Sequence, residues 1–218
     1  MYKVLKVEDL KNQSQYRWFK TFSNPCYGLN VKMDVTKVID YCKKTNTAFF
    51  VNVLYLITTA LNSIDEFKIR EVKDEIRLYD TINPTFTVMT DIQVYENAGF
   101  KMVDDYSSFY KIAKETIEKV KKVTSFKETY NDSTLFDDYY MTCAPWISME
   151  SMTHPLCEGN FESLTVPRIC WDKYRKENDK MVMLLNITVS HCYIDGYTLS
   201  KAFNLIQEKF NEIESILK

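Results

Sequence analysis

The chain has 218 residues, of which 45% are hydrophobic and 27% charged, with a formal net charge of −2. This length and composition suit one globular domain covering residues 1–218, and four Gly and five Pro leave little room for long disordered linkers. Lys and Arg are mixed among Asp and Glu instead of clustered, which argues against a nucleic-acid partner because binding to a phosphate backbone needs concentrated positive charge.

The first half of the chain mixes strand and helix patterns. Residues 27–35 are apolar at alternate positions, which predicts a half-buried strand, and Thr36 is expected to cap a short helix ending near residue 44. Residues 48–67 are mostly apolar at helical intervals, so we expect a helix packed deep against a sheet. Three further strands follow, the first two forming a hairpin around Lys73 and Asp74: 68–72, 75–79 and 85–90.

The second half of the chain continues in the same irregular order. Residues 105–123 predict an amphipathic helix and residues 138–143 a strand. Two β-rich runs, 164–174 and 181–189, flank a polar turn, and a final helix begins near Tyr197. Because the elements do not follow a strict βαβα alternation, the sequence predicts an α+β fold in which helices pack on a mixed β-sheet.

The cysteines and the apolar runs indicate where the protein resides. The six cysteines form no CxxC pair and no regular interval, which is typical of thiols in a reducing compartment. The N-terminal residues carry charges every few positions, and no run approaches the ~18 apolar residues that a membrane helix needs. The sequence therefore predicts a cytoplasmic protein with no membrane segment.

One short motif predicts chemistry. An apolar strand pattern ends at His191, three residues separate it from Asp195 and Gly196, and a helix follows. A histidine at the end of a strand can be held in one tautomer by a hydrogen bond, which leaves the second ring nitrogen as a base near neutral pH. The HxxxDG pattern alone also fits an ordinary loop histidine and an Asp-Gly turn. Since the chain has only two histidines, His191 is the candidate general base.

The surroundings of this motif resemble the chloramphenicol acetyltransferase family. Residues 191–196 (HCYIDG) match the family's histidine segment, and residues 142–148 (TCAPWIS) match its Ser-Ala-x-Pro-Trp segment. Further matches follow in the family's order at 33–36 (MDVT), 62–67 (NSIDEF), 83–88 (NPTFTV), Pro167 and 173–174 (KY). These matches span nearly the whole chain and are much harder to produce by chance than one motif.

The resemblance implies a function. A member of this family transfers acetyl from acetyl-CoA, bound as a co-substrate with no tightly held cofactor, to a hydroxyl of a small molecule. His191 would remove the hydroxyl proton, Thr142 would stand in for the serine that stabilises the oxyanion, and Asp195 would pair with an arginine. Tyr174 would lie near the adenine, although a role in covering a strand end explains it equally well. The family also implies two-layer subunits in a homotrimer with interfacial active sites, and a role in antibiotic resistance.

Several positions depart from the family pattern. Ser190 stands in place of the first of two histidines, Cys170 replaces a threonine, and the expected arginine falls near Gln15, so that Arg17 would need a shift in register. Residues 149–164 replace the segment that lines the antibiotic pocket, which leaves the acceptor open between chloramphenicol and another alcohol.

A metal site and two other functions are alternatives to this interpretation. His154, Cys157, Cys143 and Cys170 have irregular spacing for zinc, so no metal site is predicted. The acyltransferase domain of a 2-oxo acid dehydrogenase complex shares HxxxDG, but it predicts an upstream lipoyl domain that this sequence lacks. A relative that binds ligand without turnover would bind an acceptor but cleave no thioester between about pH 6 and 9, the range around a histidine titration.

Overall fold

The computed structural model describes residues 1–124, 135–157 and 159–218. The strands are β1 (Tyr2–Leu5), β2 (Cys26–Asp34), β3 (Ile69–Val72), β4 (Glu75–Tyr79), β5 (Asn83–Met89), β6 (Tyr95–Gly99), β7 (Asp138–Ala144), β8 (Arg168–Asp172), β9 (Arg175–Glu177) and β10 (Lys180–Ser190). The α-helices are α1 (Gln13–Phe19), α2 (Thr36–Thr45), α3 (Phe49–Asn62), α4 (Tyr106–Lys121), α5 (Phe161–Leu164), α6 (Gly196–Asn211) and α7 (Ile213–Ile216). Short 3-10 helices cover Val7–Asp9 and Asp65–Lys68.

The larger sheet has the strand order β2-β10-β8-β7-β5-β6, and β9 pairs with the first three residues of β10. Strand β7 runs parallel to both β5 and β8, whereas the other pairs are antiparallel, so the sheet is mixed as the sequence predicted. Strand β10 pairs with β2 from Val182 to Ser190, and this long register fixes where the strand ends and His191 begins.

The two faces of this sheet differ in chemistry because successive side chains alternate. One row across neighbouring strands is apolar and packs on the helices: Phe86, Met141, Ile169 and Ile187. The next row lies on the opposite side, which we call the polar face: Thr142, Cys170, Asn186 and Asn30. Helix α3 lies in the core against α6, α4 and α2, with most of its residues fully buried. The deep helix predicted within 48–67 is therefore confirmed.

A smaller sheet of order β1-β4-β3 contains the predicted hairpin. Its turn residues, Lys73 and Asp74, have φ values of 53° and 62°. Two left-handed residues match the right-handed twist of the flanking strands, which is the usual geometry of a two-residue hairpin turn. The third strand, β1, was not predicted.

The structure corrects several predicted boundaries. Thr36 is not the cap of α2; the Asp34 carboxylate accepts from the Thr36 N–H at 3.0 Å and from its hydroxyl at 2.7 Å, because a carboxylate is the stronger acceptor. The helix predicted over 48–67 stops at Asn62, and a 3-10 helix follows. The strand predicted over 164–174 is shorter, since α5 precedes it and the extended run spans only Arg168–Asp172. Helix α1 and strand β6 were also missed, because neither has a clear periodic pattern.

Within residues 1–124, 135–157 and 159–218, no helix is both long enough and apolar enough to cross a membrane.

Candidate active site

His191 follows the last residue of β10 and is held through its backbone. Its N–H donates to the Pro25 carbonyl at 2.9 Å, which extends the pairing between β10 and the chain before β2 by one step. Its carbonyl oxygen accepts from Gln15 Nε2 at 2.6 Å. Both backbone groups of the predicted base are therefore fixed, one by the sheet and one by helix α1.

Aromatic contacts orient the imidazole ring of His191. The ring stacks on Phe19 with centroids 4.1 Å apart and an angle of 9° between the planes, and Tyr27 packs on it at 4.4 Å. The Nδ1 atom is buried without a hydrogen-bond partner, whereas Nε2 is neither bonded within the described chain nor buried. Aromatic packing thus fixes the ring where the sequence had predicted a hydrogen bond, and Nε2 is the ring nitrogen that a substrate can reach.

Asp195 caps helix α6. Its Oδ1 accepts from the Thr198 N–H at 2.7 Å, and this hydrogen bond is the main cause that holds the pKa of the carboxyl below its usual range. The predicted pairing with an arginine is wrong for the described residues, since Arg17 points away to Glu8, 3.5 Å from it. The side chain of Gln15 instead joins α1 to the histidine loop, because an amide can donate to a carbonyl without a charged partner.

A buried carboxylate stands behind the histidine loop. Glu71 on β3 accepts from the hydroxyl of Tyr193 at 2.8 Å and from that of Tyr16 at 3.2 Å, and it forms an ion pair with Lys20. Burial, reinforced by the adjacent carboxylate, raises the pKa of both tyrosines, which therefore remain hydroxyl donors. The Lys20 ammonium also lies 3.4 Å from the ring centroid of Phe161.

Helix α1 connects this carboxylate to the base. Gln15 and Tyr16, and then Phe19 and Lys20 one turn later, contact either His191 or Glu71. Residues three and four apart share one face of a helix, so the short helix α1 and Lys20, which caps its C-terminal end, supply all four contacts. Helix α1 was not predicted from the sequence, and the spacing of these four residues is the sequence signal that marks its contact face.

Thr142 lies elsewhere, in a cavity of about 830 Å³ over the polar face. Its hydroxyl oxygen is 2.7 Å from that of Thr87 on the neighbouring strand. Cys170, in the adjacent position on β8, is buried, which raises the pKa of its thiol to about 11 and keeps it neutral. Much of the rest of the lining is apolar or aromatic: Phe86, Met89, Tyr95, Tyr140, Trp146, Met149, Met152, Pro155 and Leu156.

His154 also lines this cavity, and its Nε2 lies 3.0 Å from Asn186 Oδ1. Burial lowers the pKa of the imidazole to about 4, and the charge of Arg168 adds to that effect. In the parts of the chain that the structure describes, no group of three or more His, Cys, Asp or Glu side chains is arranged to hold a metal ion.

One chain does not bring His191 and Thr142 together. Thr142 on β7 is level with Cys170 on β8 and with Asn186 on β10, so Asn186 lies two strands from Thr142. His191 follows Asn186 by five residues along the chain. With ~3.3 Å per residue and ~4.8 Å between strands, their Cα atoms are roughly 19 Å apart. His191 does not line the cavity that contains Thr142. These two predicted site residues are therefore too far apart to act on one carbonyl within a single subunit.

Tyr174 lies between β8 and β9, where its ring packs on Phe49 with centroids 5.0 Å apart and its side chain remains partly exposed. Several other large apolar side chains are exposed, two of them on or beside α1 and two directly after β7: Trp18, Phe22, Trp146 and Ile147. A surface with such side chains is suited to contact another molecule or another copy of the chain.

Comparison with known proteins gives consistent matches. The family described as chloramphenicol acetyltransferase matches residues 1–207. Chloramphenicol acetyltransferase 3 of Escherichia coli is 26% identical over 207 residues, covering 93% of this chain and 95% of that protein. The chloramphenicol acetyltransferase of Clostridium perfringens is 21% identical over 218 residues, covering 99% and 98%.

Solved structures confirm the predicted fold class. A chloramphenicol acetyltransferase superposes with a TM-score of 0.82 at 20% identity, covering 95% of this chain and 99% of that one. The dihydrolipoamide acetyltransferase of Azotobacter vinelandii superposes with a TM-score of 0.68 at 14% identity, covering 94% and 88%. At these identities the likeness establishes the α+β, two-layer fold, in which helices pack on a mixed sheet.

Proposed function

The chain belongs to the chloramphenicol acetyltransferase family and is an acetyltransferase, and we propose that it transfers acetyl from acetyl-CoA directly to a hydroxyl of a small molecule. One observation supports this above all. The His191 ring is clamped between Phe19 and Tyr27, and its Nε2 is left open for a substrate proton. An imidazole held in one orientation with one ring nitrogen open to a substrate is suited to general-base catalysis.

The proposed reaction needs no acyl-enzyme. His191 Nε2 takes the proton of the acceptor hydroxyl while that oxygen attacks the thioester carbonyl of acetyl-CoA. The Thr142 hydroxyl donates to the oxyanion of the tetrahedral intermediate. The intermediate then collapses, the bond from carbon to sulfur breaks, and the imidazolium returns the proton to the departing CoA thiolate.

We further propose that the working site lies between subunits. His191 and Thr142 are roughly 19 Å apart in one chain, so a base from one subunit would have to meet the oxyanion donor of its neighbour. The exposed Trp18, Phe22, Trp146 and Ile147 support such an assembly, because apolar side chains of this size are typical of the centre of an interface. A cyclic homotrimer is the arrangement we expect.

Asp195 and Tyr174 have supporting roles in this proposal. Asp195 holds the start of α6 and thereby the loop that carries His191. Tyr174, with Phe49 against it, offers an aromatic surface for the adenine of acetyl-CoA, which binds as a co-substrate with no tightly bound cofactor. The six cysteines are free thiols, which fits a cytoplasmic location.

The acceptor is proposed to occupy the cavity beside Thr142. Its volume of about 830 Å³ and its largely apolar lining suit a drug-sized molecule. Chloramphenicol is the first acceptor to test, because the curated relatives carry its name. If it is acetylated, the protein would confer resistance to that antibiotic.

The test is acetyl transfer by the purified protein. Free CoA and acetylated product are followed with acetyl-CoA and a panel of alcohols that includes chloramphenicol, for wild type and for His191→Ala. We expect product with wild type and a loss of at least about 100-fold with His191→Ala, the usual contribution of a general base. Circular dichroism and thermal melting would verify that the variant is folded. Equal transfer by both proteins would remove His191 as the base.

A binding protein without turnover is the second candidate function. The observation that favours it is the buried Nδ1 of His191, because no described group fixes the tautomer that leaves Nε2 free. This candidate predicts that an acceptor binds while acetyl-CoA stays intact at every pH between about 6 and 9. Product formation at any pH in that range would exclude it.

A further inference from the structure

His154, the other histidine of the chain, lies where it can contact the acceptor. It lies in the segment 149–164, which departs from the family pattern. His154 itself lines the cavity that contains Thr142. Its ring is partly buried, and its Nε2 contacts the side chain of Asn186 on the polar face of the sheet. Nothing in the acetyl-transfer chemistry described above uses this imidazole.

Two backbone groups determine which ring nitrogen carries the hydrogen. The Met152 N–H donates to Asn30 Oδ1, so that oxygen is an acceptor. Asn186 Nδ2 donates both to Asn30 Oδ1 and to the Met152 carbonyl, which fixes the orientation of the Asn186 amide. Asn186 Oδ1 is then an acceptor, and His154 Nε2 must be the donor across 3.0 Å. The remaining ring nitrogen, Nδ1, therefore holds a lone pair.

That lone pair is available to a ligand. His154 Nδ1 has no hydrogen-bond partner among the described residues, and it is not one of their buried unpaired atoms. The ring also stays neutral at physiological pH, because burial and the neighbouring Arg168 oppose a second proton. A neutral imidazole of fixed tautomer that lines the cavity has a directional acceptor to offer to a ligand there.

We propose that His154 Nδ1 selects the acyl acceptor, by accepting a hydrogen bond from an O–H or N–H group other than the hydroxyl that is acetylated. This inference rests on the proposed function for the identity of the reacting hydroxyl. Asn186, which holds His154, lies in the same row of the sheet as Thr142, and both His154 and Thr142 line one cavity, so a single acceptor can contact both side chains.

The cavity lining indicates the chemical class of the acceptor. Met89, Met149 and Met152 form adaptable apolar walls, and Trp146 and Tyr95 offer aromatic faces. The acceptor is therefore a neutral, largely apolar molecule with at least two polar groups, one acetylated and one bound by His154. A site with such a directional group disfavours the analogue that lacks the matching donor.

The first test uses the ligand-free protein and does not depend on turnover. Long-range proton–nitrogen correlation spectra of 15N-labelled wild type, assigned with His154→Gln, report the tautomer of each of the two histidines. We expect His154 as the neutral Nε2–H form at pH 7. A protonated Nδ1, or a charged ring at that pH, would overturn the proposal.

The second test uses chloramphenicol, which has two hydroxyls and one amide N–H, and analogues in which each donor is methylated in turn. We expect one methylation away from the reacting hydroxyl to lower kcat/KM of wild type by about 10-fold or more, the equivalent of one hydrogen bond. In His154→Leu the same methylation should have no effect, while KM for acetyl-CoA stays unchanged. Equal losses in wild type and His154→Leu, or none in either, would overturn the proposal.

Failure of this proposal can be told apart from failure of acetyl transfer. If no panel member is acetylated, the Nδ1 resonance of His154 is followed during titration with the same compounds. A shift that is lost with one methylated analogue supports the proposal without turnover, and an unmoved resonance with every compound overturns it. His154→Gln retains a donor for Asn186 Oδ1 and serves as the folded control should His154→Leu be unstable.

Discussion

Mixing two inactive variants tests whether each active site is shared between subunits. His191→Ala removes the proposed base, and Thr142→Val removes the proposed oxyanion donor while keeping the shape of the side chain. Because the two residues are roughly 19 Å apart in one chain, an intact site would need His191 from one subunit and Thr142 from the next. Co-expressed in equal amounts, the two chains should therefore restore activity that neither shows alone.

The expected recovery follows from random assembly in a cyclic ring. A site is intact when its first subunit is the threonine variant and its second is the histidine variant, which has a probability of about one quarter. Loss of an oxyanion donor leaves about 1% of activity or less, so recovery to about 25% is readily measured. The assay is release of CoA by the whole co-expressed mixture, and a different tag on each chain verifies that the two chains are present in equal amounts.

A second mixture provides the matched control. A chain carrying both substitutions is combined equally with wild type, and a shared site again predicts about one quarter of wild-type activity per site. If both residues served the same chain's site, this control would give about one half and the mixture of single variants would give nothing. That pair of values would refute the interfacial site and the reasoning from strand register behind it.

Three further outcomes can be measured on single variants. Thr142→Val should lower kcat about 10²–10³-fold, whereas Thr142→Ser should keep most of the activity, because only the hydroxyl donates to the oxyanion. Steady-state kinetics on the folded variants measures this difference, and equal rates for Thr142→Val and wild type would contradict the role of Thr142. His154 has a lowered pKa in the folded state, so wild type should lose about 2 kcal/mol relative to His154→Gln as the pH falls from about 6.5 to 4, because the unfolded chain binds the extra proton. Burial raises the pKa of Asp138 to about 6, which changes the free energy of unfolding in the opposite direction, but this effect is the same in both proteins and cancels in their difference. Urea unfolding at each pH measures that difference. Parallel pH profiles of the two proteins would contradict the lowered pKa of His154. Glu71→Gln should lower the free energy of unfolding by about 2 kcal/mol and reduce kcat, because it weakens the anchor of helix α1, whereas the exposed Glu115→Gln on α4 should change neither.

The elements of the site that are local in sequence could be predicted. The apolar run of β10, the Asp-Gly turn and the helix that follows depend on neighbouring residues, so the sequence predicts a strand, a turn and a helix around His191, although not that Asp195 caps the helix. The hairpin turn at Lys73 and Asp74 and the deep helix α3 were predicted for the same reason. The resemblance of several ordered segments then indicated the family, which the comparisons confirm.

Only the tertiary structure decided how these pieces are held together. Gln15 donates a hydrogen bond to the carbonyl of His191, 176 positions later, and no spacing in the sequence predicts this contact. The tautomer of His154 likewise depends on Asn30 and Asn186, which lie far apart in the chain but on adjacent strands. Side-chain hydrogen bonds form wherever folding brings donor and acceptor within about 3 Å, and local patterns determine which elements form but not which of their surfaces meet.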